Sequence, residues 1–340
     1  MSLHYPHAAP PAAGEIREVA PGIFWLRMPL PFQLDHINLW LLRDGDGWTI
    51  VDTGFPEDGV RDHWRQILSA LDGPVKRLIV THFHPDHLGL ATWLMAETGA
   101  PVWMTSSEFL TAHAVWNEVG GHGARFMVEQ FRQHGLDVDL LAKFAQRGSG
   151  YRKAVPDLPQ HYERVMAGDV LTVDGRPWQI IIGHGHSPEH MALYCPELDV
   201  LISGDMLLPR ISTNISVFAA TPEADALRWY LTSLDVMAKE MPEKTLVLPS
   251  HGKPFTGLHE RIQQLHDHHR DRLAEVLQAC SAKPCSAADV VPVLFTRALD
   301  LHQMTFAMGE AVAHLNALWH RGQLRRSLQD DGVYRFSALD

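Results

Sequence analysis

The segment Thr81-His82-Phe83-His84-Pro85-Asp86-His87-Leu88-Gly89 packs three imidazoles and a carboxylate into six consecutive positions. His82 and His84 are two apart, so an extended backbone aims both rings to one side. Asp86 and His87 fall at the turn into a helix, whose N-terminus favours a carboxylate. Packing alone gives these four groups no reason to share a buried pocket, whereas a metal cation accepts a lone pair from each. The competing reading is chance in a chain with 22 histidines. The strand expected before the segment and the helix expected after it favour the metal.

One segment cannot fill two metal shells, and three later strand ends each offer one more ligand. His186 stands in Gly185-His186-Ser187-Pro188, Asp205 in Ser203-Gly204-Asp205, and His251 in Leu248-Pro249-Ser250-His251-Gly252. Each is a His or Asp just past an apolar run, beside a Gly or Ser that permits close backbone approach. Singly, a histidine after a strand is more often a capping or solvated residue. Together and in this order, the three read as ligands.

The elements that must position these residues follow from hydrophobic periodicity. Strands are expected at Gly22–Met28, Ile37–Leu42, Trp48–Val51, Leu78–Val80, Val102–Met104, Val170–Val173, Trp178–Ile182, Leu193–Tyr194, Val200–Ser203 and Thr245–Leu248. A helix opens at Pro56 with Val60, Trp64, Ile67, Leu68 and Leu71 at helical spacing, and a second runs from Leu88 to Glu97. Two successive sets of strands with helices outside them describe an α/β (α+β) sandwich of two mixed sheets. Residues 106–165 read as a helical insertion, with helices at Phe109–Val119 and Ala124–His134. Beyond Leu258 come three helices, at Leu258–Gln278, after Ser286, and at Leu301–Leu318, then a hairpin about Asp330-Asp331-Gly332. These are the parts of a winged helix. The domain plan is a flexible arm at 1–14, a catalytic domain at 15–257 and a winged-helix-like domain at 258–340.

From Gly14 to Leu258 the chain resembles the metallo-β-lactamase superfamily. The resemblance rests on Val51-Asp52-Thr53-Gly54, the His-x-His-x-Asp-His segment, His186, Asp205 and His251. It implies an αββα sandwich with a dinuclear site along one edge. His82, His84 and His186 resemble the first metal's ligands, and Asp86, His87 and His251 the second's. Asp205 resembles the carboxylate that bridges the two. Asp52 resembles a residue that orients ligands from behind, for which simple helix capping is the alternative. His190 reads as another supporting or core histidine. His184 is a rival to His186, while His266, His268 and His269 share a solvated or interdomain helix face. The C-terminal part resembles the glyoxalase II-like and endoribonuclease-related branch of the superfamily. Its signs are Asp205-Met206-Leu207-Leu208-Pro209-Arg210-Ile211, Arg261-Ile262, His269-Arg270-Asp271-Arg272 and Glu310-Ala311-Val312-Ala313-His314-Leu315.

Departures within the superfamily narrow the activity. True β-lactamases of this fold carry Cys where Asp205 stands and are exported; this chain lacks that Cys, and its Ala/Pro-rich start is not expected to be a signal peptide. Flavo-diiron relatives replace the second histidine by Glu, whereas this chain keeps His84. Its full ligand set favours a dinuclear site over the mononuclear iron of the persulfide-dioxygenase branch. The expected cofactors are two divalent metal ions, zinc first, with iron or manganese also suited to His/carboxylate ligands. Two such ions would be expected to supply a metal-bridging hydroxide as nucleophile, with Asp86 and Asp205 positioning it through the metals. The expected substrate is a small-molecule thioester or related carbonyl ester, because a thiolate leaves without a dedicated general acid. Tyr151, Arg152, Arg210 and Lys253 are candidates for meeting an anionic substrate, with ordinary surface charge as their alternative reading. The rivals are an endoribonuclease or single-strand nuclease, a lactonase, and a non-enzymatic metal-stabilised binding protein.

Composition excludes several classes. The 340 residues carry a net charge of −11, unpromising for a protein that must neutralise phosphates, so nucleic acid is disfavoured. There is no apolar run long enough to span a membrane. Three cysteines without paired spacing do not make a disulfide scaffold or a zinc ribbon. The cytoplasm is the default expectation, and a homodimer is an admissible assembly.

Overall fold

A computed structural model describes residues 3–339, so Met1 and Ser2 of the expected arm lie outside the described residues. One sheet contains β1 (Ile16–Ala20), β2 (Ile23–Pro29), β3 (His36–Asp44), β4 (Gly47–Val51), β5 (Val75–Ile79), β6 (Val102–Thr105) and β7 (Glu163–Val165), in chain order. A second sheet has the order β12-β11-β10-β9-β8. Its strands are β8 (Val170–Val173), β9 (Arg176–Gly183), β10 (His190–Cys195), β11 (Val200–Gly204) and β12 (Leu246–Pro249). The last two strands, β13 (Leu324–Leu328) and β14 (Tyr334–Ala338), pair as a hairpin.

Helices fill the connections. The first seven are α1 (Asp58–Ala70), α2 (Pro85–Leu88), α3 (Ala91–Thr98), α4 (Ser106–Trp116), α5 (Ala124–Gln133), α6 (Val138–Arg147) and α7 (Tyr151–Ala154). The remaining four are α8 (Ala226–Glu240), α9 (Leu258–Ala282), α10 (Ala287–Leu294) and α11 (Leu301–His320). No helix among the described residues is long and apolar enough to cross a membrane.

The β3 strand shows why the sandwich forms. Trp40 and Leu42 face a core shared with Trp25, Val51 and Ile79 of the same sheet and with Trp178, Met191, Leu193, Ile202 and Leu248 of the second. Ile37, Leu39 and Leu41 face the opposite way, into a core closed by Val60, Trp64 and Ile67 of α1 and Leu94 of α3. A strand buried on both faces reads as a continuous apolar run, which is how Ile37–Leu42 appears in the sequence.

The expected helix from Leu88 to Glu97 is broken into α2 and α3. Thr53 causes the break: its backbone N–H and hydroxyl both donate to the His87 carbonyl (2.9 and 2.6 Å), and its hydroxyl oxygen accepts from Leu90 N–H (3.2 Å). Gly89 is required there, since a Cβ would lie 2.8 Å from Pro56 Cδ and 3.0 Å from the Ala154 carbonyl.

The chain clusters into two compact units: 1–116, 151–213 and 233–262 form one, and 117–150, 214–232 and 263–340 the other. The stretch 106–165 holds helices α4–α7, is divided between the units, and ends in β7 of the first sheet. The second unit contains most of α9, then α10, α11 and the β13–β14 hairpin, together with α5 and α6. At the start of the chain, His4 and Thr256 exchange backbone hydrogen bonds (3.2 and 2.9 Å) as an isolated antiparallel bridge.

Candidate metal centre

Strand ends of both sheets deliver the predicted residues to one place. The turn after β5 carries His82, His84, Asp86 and His87, the loop after β9 carries His186, the residue after β11 is Asp205, and the loop after β12 carries His251. Two groups result, each with its potential ligand atoms within 4.8 Å of one another: His82, His84, His186 and Asp205, and then Asp86, His87 and His251. In the first, His82 Nε2 lies 2.9 Å from His84 Nδ1 and 3.2 Å from His186 Nε2, which is 3.4 Å from Asp205 Oδ2. In the second, Asp86 Oδ2 lies 3.6 Å from His87 Nε2 and 3.5 Å from His251 Nε2. Asp205 joins them, with Oδ1 at 3.6 Å from His87 Nε2 and 3.4 Å from His251 Nε2.

The hydrogen bonds behind the rings decide which nitrogen faces inward. His251 Nδ1 is 2.8 Å from the His36 carbonyl, which can only accept, so Nδ1 carries the proton and Nε2 presents its lone pair. His87 Nδ1 is 2.8 Å from Asp52 Oδ2 and is fixed the same way. The Thr81 hydroxyl donates to Asp52 (2.9 Å) and therefore accepts from His82 Nδ1 (3.0 Å), which leaves Nε2 of His82 inward. Thr213 Oγ1 lies 3.1 Å from His186 Nδ1. Imidazoles locked this way are the usual support of a metal ligand.

The donor set fits a divalent cation. Lone pairs face lone pairs across hydrogen-bond distances, and His87 Nε2 and Asp205 Oδ1 are buried without a hydrogen-bond partner among the described residues. Burial drives the His82 ring well below the usual histidine range and the His84 ring to about 3, so both stay neutral and ready to ligate. Burial also opposes charge on the second group, but opposite charges overcome it. His87 and His251 hold the Asp86 carboxyl at about 2, while Asp205 and Asp86 raise His251 to about 10, so that without a metal His251 also carries a proton on Nε2, which a cation would displace to take that lone pair. A pocket that concentrates negative charge in this way suits a divalent metal.

Asp52 caps no helix; it sits behind the site. Its φ of 61° is unusual for a residue other than glycine, and its surroundings over-determine it. Its N–H donates to the Ile79 carbonyl (2.8 Å), and its carboxylate accepts from Thr81 N–H (2.8 Å), the Thr81 hydroxyl and His87. His190 is fully buried, and its Nε2 accepts from the Asp205 backbone N–H (3.1 Å). Gly204 makes room for that ring, since a Cβ would stand 2.3 Å from His190 Cε1.

The other expectations divide. His184 bonds the Pro188 carbonyl (2.7 Å) and lies outside both groups. The Tyr151 hydroxyl donates to the Phe83 carbonyl (2.6 Å), Arg152 Nε to the Trp116 carbonyl (2.5 Å) and Lys253 Nζ to the Ala8 carbonyl (2.5 Å). Arg210 is exposed. In the second unit, His269 is buried, with its Nδ1 3.5 Å from His314 Nε2.

Sequence reasoning missed His36, Thr213 and Asn38. Asn38 Oδ1 accepts from Trp25 Nε1 (2.8 Å), and its Nδ2 donates to the Pro249 and Gly252 carbonyls (2.8 and 2.9 Å), so it fixes the backbone on either side of His251. A polar residue inside the apolar run of β3 was the one available signal. Replacing Asn38 by Leu leaves an indole N–H and two carbonyls unpaired and is expected to cost about 2–4 kcal/mol of stability. A denaturant midpoint equal to that of the parent would contradict this.

Comparison with known proteins agrees with the geometry. Residues 33–251 match the metallo-beta-lactamase superfamily, and residues 273–339 match the metallo-beta-lactamase-like C-terminal domain. The crystal structure of a beta-lactamase domain protein from Burkholderia ambifaria superposes with a TM-score of 0.92 at 50% identity, covering 99% of this chain and 98% of that one. A probable metallo-hydrolase of Bacillus subtilis, YqjP, is 24% identical over 86% of this chain and 91% of its own. An atrochrysone carboxyl ACP thioesterase of Aspergillus chevalieri is 22% identical over 79% of this chain and 69% of its own.

Proposed function

The chain belongs to the metallo-beta-lactamase superfamily, and from that premise we propose that it is a dinuclear metal-dependent hydrolase of a thioester or related carbonyl ester. The observation that carries the reading is Asp205. Its two oxygens face different groups, Oδ2 toward His186 and Oδ1 toward His87 and His251, as a carboxylate shared by two cations would. Bound divalent cations would supply Lewis acidity and an activated water. His82, His84 and His186 would hold one and Asp86, His87 and His251 the other, with zinc the ion best matched to neutral imidazoles and carboxylates.

The protein's own groups do the positioning. Asp52 and Thr81 keep His82 and His87 in the tautomers that present Nε2, and the His36 carbonyl does the same for His251. His190 holds the backbone N–H of Asp205 and so sets its carboxylate between the groups. Each of these contacts exists before substrate arrives, which is what a preorganised site requires.

The thioester assignment is supported by thiolate chemistry, since a leaving group of pKa near 8.5 needs no dedicated acid. The Aspergillus relative, a thioesterase by name, points the same way. Of the three arginines on the β13–β14 hairpin, Arg325, Arg326 and Arg335, Arg326 is engaged within the protein, which counts against the nuclease reading. Arg326 lies over the Trp319 ring at 3.9 Å and pairs with Glu223. We read the C-terminal helices and hairpin as a winged-helix-like packing module.

The test is hydrolysis of acyl-CoA and acyl-glutathione by the full-length protein. Turnover should disappear on chelation, return with a divalent metal and be abolished by Asp86→Ala. Cleavage of RNA with salt-sensitive retention would replace the reading by the nuclease. Bound metal with no turnover on any ester would replace it by a binding protein.

A further inference from the structure

Glu108 lies in the first turn of α4, outside every metal-ligand motif, and is fully buried. Its Oε2 accepts the Phe83 N–H (3.0 Å), the one residue between His82 and His84. Its Oε1 accepts the Ser187 hydroxyl and the Glu189 N–H (both 2.7 Å), immediately after His186. A buried carboxylate is costly unless its lone pairs are used, and here three donors use them. Phe83 adjoins His82 and His84, in the turn that runs on to Asp86 and His87, and Ser187 and Glu189 follow His186; none of the three donors adjoins Asp86, His87 or His251.

The neighbourhood strengthens the clamp. Thr105 Oγ1 donates to the Glu189 carbonyl (3.1 Å) and Ser107 N–H to the Glu189 carboxylate (3.3 Å), so the start of α4 is stitched to the same loop. On the far side of the turn the Tyr151 hydroxyl donates to the Phe83 carbonyl, so both backbone polar groups of Phe83 are held. A plain core would fill this place with an apolar side chain. A carboxylate there fixes the distance between two loops that share no hydrogen-bonded strand pair with each other.

We propose that Glu108 is a positioning residue that ties the His82–His84 turn to the His186 loop and thereby sets the affinity of one metal site without touching the other. The inference rests on the metal reading given above. It is specific because an amide cannot replace the carboxylate. Gln has one acceptor oxygen, so with that oxygen on Ser187 and Glu189 its NH2 faces the Phe83 N–H and the turn is released.

The experiment is chelator competition with Zn2+ on the full-length protein, with metal content counted and folding followed by circular dichroism. The wild type should bind two ions tightly. In E108Q one ion should stay tight while the other weakens 10- to 100-fold, the range found when a supporting partner of a metal ligand is lost. Retention of both ions within threefold of wild type overturns the proposal. So does equal weakening of both, which would make Glu108 a general packing residue. If E108Q does not fold, Ser187→Ala, which removes a single donor on the His186 side, should weaken the same one ion about tenfold, and no change there overturns the proposal. A wild type that binds no metal takes down the metal reading itself, a failure visible before any substitution is made.

Discussion

Asp205→Asn is expected to lower ester turnover about a thousandfold and to release metal from both groups. The substitution keeps the shape of the side chain and removes its charge. Asp205 faces three ring nitrogens, His186 Nε2 at 3.4 Å, His251 Nε2 at 3.4 Å and His87 Nε2 at 3.6 Å, so no orientation of an amide satisfies both sides. Whichever group receives the NH2 has a donor aimed where a cation should sit. Removing one partner from a buried charged cluster costs about 3–5 kcal/mol, and each ~1.4 kcal/mol is tenfold in rate, which gives a loss of about a hundred- to ten-thousandfold. The measurement is kcat/KM on acyl-CoA beside metal content. An Asn variant that keeps two ions and a tenth of the activity would show that Asp205 does not join the groups.

The residues proposed as ligands stand out in the sequence because the fold brings them together in a way that sequence patterns record. Each stands one to eight residues past an apolar strand, so a strand pattern followed by His or Asp is a local signal of a site assembled over long range. The supporting residues left weaker marks. Thr213 lies in a stretch with no periodic pattern, and Glu108 looks like any acid in a helix's first turn. What makes Glu108 matter is the arrival of two loops from distant parts of the chain. The elements missed follow the same logic. β1 is a half-exposed edge strand of the first sheet, and β7 is three residues long. α8 was the exception, for its buried Leu227, Tyr230, Leu234 and Met237 recur at helical spacing and could have been read. The break between α2 and α3 could not, because Thr53 intercepts that backbone from 34 residues away in sequence.

Acidification from pH 7 to 5 is expected to destabilise the protein strongly through three histidines far in sequence from the ligand motifs. Burial, joined by the charge of Arg326, lowers the His134 ring to about 4, and burial with the neighbouring rings of His314, His268 and His266 lowers His269 to about 2. Burial also brings His314 to about 4, against the pull of the Glu310 carbonyl that accepts from its Nδ1 (2.9 Å). That bond leaves His314 Nε2 as an acceptor for His269 Nδ1 at 3.5 Å, so the pair is built for two neutral rings. His134 packs against the rings of Tyr334 and Phe336. All three have folded values below the unfolded 6.5, so the unfolded chain takes up protons first as pH falls. The stability they support is therefore complete above pH 6.5 and drains away toward pH 4 for His134 and His314 and toward pH 2 for His269. At pH 5 each contributes a loss of about 2 kcal/mol, together about 4–6 kcal/mol, or on the order of 10 °C in melting temperature. Melting curves across pH 7 to 5 read this directly on the metal-loaded protein. His269→Gln, which cannot take up the proton, should flatten the pH dependence by about one proton's share relative to wild type. An identical slope in the two proteins would mean that the ring of His269 is not held neutral by the fold.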